Sequence, residues 1–389
     1  MQADFHYYAT YCAAFIAGYN HEQSLDIAYS AQLVDWCTRN FLSKIKGPSS
    51  AATTQSQIEL ADARTDLVGL QDITRIWASF HFLPGNLYAE KKSPRIYKQK
   101  YRLICNPNGP LVKDTVLNAK DKSLQAVGIA MHVLADTWAH RYFAGTPSLV
   151  INNTNYYFYE ILNGDNGEFE QQIHFRHSTS TPDDLDKSYY SNSIYQPTEN
   201  TIMNLGHGRA GHLPDYSFAK YKYLPAWADY DEIVKDNPAD YYNAFCQMVY
   251  AMKFLRGDYP EFEVSRYEYE NVSAYKDTID KILRKRQIDA CQDWKAFGES
   301  LSGKAIPDFD MTIYQDEYIS ADNNLKDTTF LGHFILAALS HKSLVTNKIF
   351  TSGNLLAGFS RDFSKQGFGG IKDFAKLLKD FSEGVDKNE

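Results

Sequence analysis

The chain has little that would commit it to a membrane, a disulfide scaffold or a polymeric partner. No apolar run approaches the ~18 residues that a membrane-crossing helix needs. The first residues, MQADFHYY, have neither the basic nor the apolar region of a signal peptide. A soluble, cytoplasmic protein with no transmembrane segment is the expectation. Only five cysteines occur among 389 residues (Cys12, Cys37, Cys105, Cys246 and Cys291), widely spaced and without a CxxC pair. An odd, scattered set suits reduced thiols rather than a disulfide framework. Lys and Arg number 40 against 48 Asp and Glu, a net charge of −8, and no basic stripe stands out. Binding to duplex nucleic acid through a basic surface is therefore not expected. Internal repeats are not visible, and strand-like alternation is scarce, which points to an all-α fold.

Aromatic residues, by contrast, are plentiful. There are 28 Tyr and 23 Phe, some in pairs such as Tyr156-Tyr157, Tyr189-Tyr190 and Tyr241-Tyr242. Amphipathic rings at that density suit a groove or interface as well as a core. The 44% hydrophobic content is that of an ordinary globular chain long enough to bury a large core.

The most informative stretch is Gly128 to Gly145, GIAMHVLADTWAHRYFAG. As a helix it places His132, Asp136 and His140 at i, i+4 and i+8 among apolar residues. At a rise of ~1.5 Å per residue, His132 and Asp136 are about 6 Å apart along the axis and can share an ion, whereas His132 and His140, about 12 Å apart, cannot. Asp136 is the pivot, because a carboxylate has two oxygens and can bridge two metals. The plainer alternative is a structural helix whose histidines hydrogen-bond locally and whose Asp makes an ion pair.

Other segments supply more donors. Asp4 to Gly18 has helical spacing and carries His6. Asn20 with Gln23 forms a capping box that opens a second helix, HEQSLDIAYSAQLVDWCTRNF. Asp35 lies near that helix's C-terminal end, where the dipole opposes a carboxylate unless a cation, or Arg39 four residues on, neutralises it. His81 sits between Phe80 and Phe82 before a Pro-Gly turn, either as a satisfied core histidine or as a ligand in a dry pocket. In MNLGHGRAGHLPDYSF, His207, His212 and Asp215 crowd a glycine-rich segment, a zinc-compatible set if the loop gathers them. His333 and His341 read as core or boundary residues of a helix, and His174 and His177 as surface residues. Helices are expected at Asp240 to Leu255, Tyr275 to Phe297, Thr328 to Phe350 and Gly369 to Glu383. The organisation expected is a helical metal-binding core over 1–255, with a loop-rich insertion at 146–201, and a helical region over 256–389 packed on it.

In order, His6, Asp35, His81, His132, Asp136, His140, His207 or His212, and Asp215 are nitrogen and oxygen donors without thiolate, a set that points to zinc or a similar divalent ion. Their order resembles that of the zinc-dependent phospholipase C and single-strand-specific nuclease superfamily. That superfamily is an all-α fold with a three-zinc cluster in a cleft, and its ligands run from an N-terminal residue through His, Asp, His, a His-x-x-x-Asp helix and His to a final His and acid. The resemblance implies that Met1 binds through its own amino group and carbonyl, with His6, Asp35, His81, His132 and a bridging Asp136 completing a two-ion core. His140, then His207 or His212, and Asp215 would hold a third ion. An α-amino group titrates near pH 8, so its use as a ligand costs only on the order of 1 kcal/mol, and a chain that starts on its own ligand would need no processing. Two spacings depart from the superfamily pattern. The histidine after the bridging Asp comes at four residues rather than six, where Tyr142 stands, and the last pair offers His212 three residues before Asp215 or His207 eight before it. The chain also resembles a bacterial family known only as a domain of unknown function.

The function implied is hydrolysis of a phosphoester of lipid or nucleotide type by a metal-activated water, with two or three Zn2+ as cofactors and Asp35 assisting the nucleophile. Phe80, Phe82, Trp138 and the Tyr-rich 146–201 segment would wall the cleft. A histidine-aspartate-domain phosphohydrolase is disfavoured because no adjacent His-Asp pair occurs. The non-enzymatic alternative is a metal-stabilised protein whose aromatic surface binds a partner.

Overall fold

A computed structural model of the chain describes residues 1–56, 67–87, 103–145, 154–176, 181–192 and 206–352. His177, the helix expected at Gly369 to Glu383, and parts of the 146–201 segment lie outside the described residues.

The chain opens with a π-helical turn, Asp4–Ala9, that runs into α1 (Thr10–Ile16). π-Helical turns often mark functional positions, and His6 lies in this one. Helix α2 (His21–Leu33) starts on the expected capping box, with the Asn20 side chain accepting from Gln23 N–H and Gln23 answering. It stops at Leu33, before Asp35, which stands in the following turn rather than in the helix. After a short helical segment at Arg39–Lys44, α3 (Leu67–Phe80) and α4 (Pro110–Ala119) precede the focal helix α5 (Leu124–Ala139). Ser123 caps α5 by accepting from Ala126 N–H. Every residue from Gln125 to Ala139 is buried, as expected of a helix that is mostly apolar around its whole circumference, with His132 and Asp136 among the few polar exceptions. α5 approaches α2 closely at Gly128, where an added Cβ would lie 2.4 Å from Ile27 O. Only a glycine lets the two backbones meet there.

The all-α expectation is overturned. Between α5 and the next long helix the chain builds a four-stranded antiparallel sheet in the order β2-β1-β5-β6 and a small parallel pair, β3 with β4. The strands are β1 (Thr154–Gly164), β2 (Gly167–Gln172), β3 (His174–Arg176), β4 (Tyr189–Ser191), β5 (Lys220–Pro225) and β6 (Ile233–Asp236). Thus much of the segment expected to be loop-rich is strand. The Tyr-rich run Thr154–Gly164 has the aromatic content that strands favour. Gly164 pairs with Gly167 across Asp165-Asn166, a two-residue hairpin turn. In β5, Lys220-Tyr221-Lys222-Tyr223 alternates strictly between polar and aromatic residues. Phe158 of β1 stands opposite Tyr223 of β5, with ring centroids 5.4 Å apart, in a second hydrophobic cluster beneath the sheet.

After the sheet come α6 (Asn237–Arg256), α7 (Lys276–Arg284), α8 (Cys291–Ser302) and α9 (Phe330–Thr351). The single stretch expected at Tyr275 to Phe297 is thus divided in two. These helices share one hydrophobic core with the first half of the chain. Trp294, for example, packs edge-on to Phe5 at 5.9 Å and stacks on Phe245 at 5.6 Å. The sheet is fastened to this region by Arg286, whose Nη2 lies 2.9 and 2.7 Å from the two carboxylate oxygens of buried Glu160. Among the described residues no helix is long and apolar enough to cross a membrane.

Candidate metal centre

Five separate parts of the fold deliver donors to one place. The π-helical turn brings Met1 and His6, the turn after α2 brings Asp35, the end of α3 brings His81, α5 brings His132, Asp136 and His140, and the segment before β5 brings His207 and Asp215. Three groups place their ligand atoms within 4.8 Å of one another: His6 with Asp35 and His132; His81 with His132 and Asp136; and His140 with His207 and Asp215. Asp136 is the hub. Its Oδ1 lies 3.0 Å from the Met1 amino nitrogen and 3.1 Å from His6 Nε2, and its Oδ2 lies 3.2 Å from both His81 Nδ1 and His132 Nε2. Asp215 gathers the other end, with Oδ1 3.1 Å from the Met1 nitrogen, 3.1 Å from His140 Nε2 and 3.5 Å from His207 Nε2.

The imidazoles are oriented by main-chain carbonyls. His132 Nδ1 lies 2.8 Å from Ala31 O, His81 Nε2 3.0 Å from Thr53 O, and His140 Nδ1 2.6 Å from His81 O. A carbonyl only accepts, so each of these ring nitrogens carries hydrogen and donates. The opposite nitrogens, His132 Nε2, His81 Nδ1 and His140 Nε2, are thereby aimed at the two carboxylates. Metal-binding histidines are commonly held in this way, their second nitrogen fixed by an acceptor that sets tautomer and ring direction. A lone pair facing a carboxylate oxygen at about 3 Å is repulsive unless a proton or a cation lies between. Among the described residues, His6 Nδ1 is buried with no hydrogen-bond partner, and buried His207 Nε2 has the long 3.5 Å approach to Asp215. The donor set therefore fits a divalent ion.

The buried carboxylates draw positive charge to this place, and for Met1 they favour the protonated amine over the free one that would bind an ion. Burial works to lower the Met1 ammonium, but Asp136, Asp215 and Asp35 outweigh it and raise its pKa to about 11. Burial and neighbouring His132 push His6 down to about 4, despite Asp136. His6 and His132 stack with ring centroids 3.7 Å apart, and that closeness is part of what lowers His6. Burial also lowers His81, yet its hydrogen bond to Asp136 and the charges of Asp136 and Asp35 leave it raised; in His140 burial prevails and the shift is downward. Against burial, which raises them, Asp136 is held well below the ordinary carboxylate range by His140 and the Met1 ammonium, and Asp215 by that ammonium and His207. Both acids are thus charged near neutrality.

Of the sequence-derived site residues, Met1, His6, Asp35, His81, His132, Asp136, His140, His207 and Asp215 converge. His212 stands at the margin, its side chain 58% exposed and its Nδ1 3.5 Å from Asp215 Oδ2. It belongs to none of the three groups. The expected Asp35–Arg39 pair is not formed, because Arg39 binds Asp72 at 2.6 Å. Two of the expected wall residues are packed elsewhere: Phe80 is fully buried on His341, and Trp138 donates to Gln247 Oε1. Phe82 stacks on His140 at 4.7 Å. His341 is a core residue and His174 a surface one, as expected, whereas His333 is exposed rather than at the core or its boundary. The carbonyl oxygens of Ala31, Thr53 and His81 leave no trace in side-chain identity, so sequence reasoning had no signal for them. Cys105 Sγ lies 4.0 Å from Asp136 O and 3.9 Å from Thr137 O, and burial drives its pKa far up, so it faces the helix backbone as a thiol.

Residues 1–349 match the model of a family described as a family of unknown function (DUF6765). No curated protein and no solved structure matches the chain.

Proposed function

The chain belongs to this family of unknown function, and from that premise we propose that it is a zinc-dependent phosphoester hydrolase, acting on a phosphodiester of lipid or nucleotide type. The reading rests above all on one observation: three groups of His and Asp donors meet around Asp136, and exposure among them is graded rather than absent. His6 and His132 have no side-chain exposure and Asp136 has 1%, whereas Asp35 has 27% and His207 23%. A wholly structural ion has no use for an open side; a catalytic one does. Nitrogen and oxygen donors without thiolate favour zinc over softer or purely oxygen-bound ions.

Divalent ions held there would lower the pKa of a bound water toward neutrality and offset the charge that gathers on phosphoryl oxygens. The protein's own groups have separate tasks. Asp136 joins the donor groups through both its oxygens. Asp35, 3.8 Å from His81 Nδ1 and 3.9 Å from His132 Nε2 on the open side, would take a proton from the attacking water. Phe82, stacked on His140, gives the cluster an apolar wall that keeps bulk water off that imidazole. The likeness of the ligand order to the zinc phospholipase C and nuclease superfamily agrees with this chemistry.

Metal analysis of the purified protein, followed by hydrolysis of a chromogenic phosphodiester with an Asp136→Ala control, tests the proposal. Bound zinc with activity abolished in the variant supports it. Bound zinc without activity favours a non-catalytic, metal-stabilised protein with an aromatic-rich binding surface.

A further inference from the structure

The His140, His207 and Asp215 group differs from the other two in how it is assembled. His140 stands at the end of α5, and Asp215 comes from a short turn 75 residues later, beyond β4. A single buried side chain connects the two supports. Lys235, on β6, has no side-chain exposure; its Nζ donates to Trp138 O at 2.9 Å and to Asn237 Oδ1 at 3.0 Å, and it pairs with Asp240.

Each contact reaches one half of the group. Trp138 is two residues before His140, where the hydrogen-bond ladder of α5 runs out. The donor expected for Trp138 O is Tyr142 N–H, four residues on, but Tyr142 has a left-handed backbone (φ +78) and donates to Cys105 O at 2.9 Å. Among the described residues, that carbonyl is served by a long contact of 3.4 Å from Arg141 N–H and by the lysine ammonium. On the other side, Asn237 Nδ2 donates to Leu213 O at 2.8 Å and to Tyr216 O at 2.7 Å, enclosing the turn that presents Asp215. Tyr241 adds a hydrogen bond from its hydroxyl to Pro214 O at 3.0 Å.

We infer that Lys235, acting through Trp138 O and Asn237, is the positioning residue that sets the separation of His140 and Asp215, and so makes the third donor group competent to hold an ion. The role presupposes that these groups bind metal. An ammonium suits it because it offers three donors to three convergent acceptors, and a cation is favoured at a helix C-terminus. It also gives the sheet a task in the site, since β6 exists at the point where Lys235 must stand.

The test uses the full chain and cobalt(II) as the probe, with zinc competition and chelator titration to rank the ions by affinity. In Lys235→Met, the ion at His140, His207 and Asp215 weakens about 10- to 100-fold or is lost, as for other changes behind metal ligands, while the ions around Asp136 keep their affinity. Lys235→Met/Asp240→Asn removes both charges, so no carboxylate is stranded, and it shows the same selective loss with an unchanged far-ultraviolet circular dichroism spectrum. Three ions bound to either variant with wild-type affinity overturn the role of Lys235 and leave the hydrolase proposal standing. Parallel weakening of all ions also overturns it, because that would be general loosening. A wild-type chain that binds no ion overturns both.

Discussion

Replacing Asp136 with Asn keeps the shape of the side chain and removes its charge. Asp136 faces the Met1 amino nitrogen at 3.0 Å, His6 at 3.1 Å and both His81 and His132 at 3.2 Å, with 1% of its side chain exposed. Removing one partner from a buried ionic cluster costs about 3–5 kcal/mol. The lower end applies, since Asp215 remains 3.1 Å from the ammonium. An ion that binds only the folded chain adds about 2.7 kcal/mol when free metal is 100 times its dissociation constant. The stability gap between wild type and Asp136→Asn should therefore grow from about 3 kcal/mol in chelator to about 6 kcal/mol in zinc buffer if one ion is lost, and by about 2.7 kcal/mol more for a second. Urea denaturation in the two buffers, followed by tryptophan fluorescence, measures both gaps. An equal gap in chelator and in zinc would refute the reasoning, because Asp136 would then be an ion-pair partner and nothing more.

Four further outcomes follow. Adding one residue ahead of Met1 turns the amino group that contacts Asp136 and Asp215 into an amide, so bound zinc should fall, and equal metal content by mass spectrometry would remove Met1 from the ligand set. His207→Ala should cost one ion per chain, whereas His212→Ala, at a side chain 58% exposed, should leave metal content unchanged in the same measurement. Cys105→Ser should also leave metal content unchanged, since its Sγ faces backbone oxygens. His341 is held by burial at a pKa of about 4 against an ordinary 6.5, donating from Nε2 to Ser79 O. The unfolded chain takes up that proton first, so stability present above pH ~6.5 is lost as pH falls toward 4; His341→Gln should flatten that slope in denaturation at a series of pH values.

The cluster of candidate donors is legible because metal chemistry requires particular side chains, and His6, Asp35, His81 and the His132 and Asp136 pair stand out by identity alone. Their convergence was read from order, and the i, i+4 spacing on one helix supplied the anchor. The choice between His207 and His212 was not legible, since a glycine-rich segment leaves direction open; Gly206 and Gly211 both have positive φ. The sheet was missed although it left signals. Gly164-Asp165-Asn166-Gly167 is a hairpin turn, and Lys220 to Tyr223 alternates, but the Asn, Ser and Tyr content around them reads as loop when helical periodicity is the only pattern sought. Apolar spacing continues past Leu33 and so predicts helix at Asp35, whereas the chain turns there, and Thr53 beyond it donates to Val34 O at 2.7 Å. Lys235 carries no signature at all, because a buried lysine looks like a surface one until its partners are known.

The most direct test is a pair of anomalous difference maps, recorded just above and just below the zinc absorption edge, from crystals of the protein grown without added chelator. The account predicts peaks flanking the Asp136 carboxylate and a further peak between His140, His207 and Asp215, present above the edge and absent below it. A map with no peak among these residues, or with its peaks at cysteine sulfur, would contradict it.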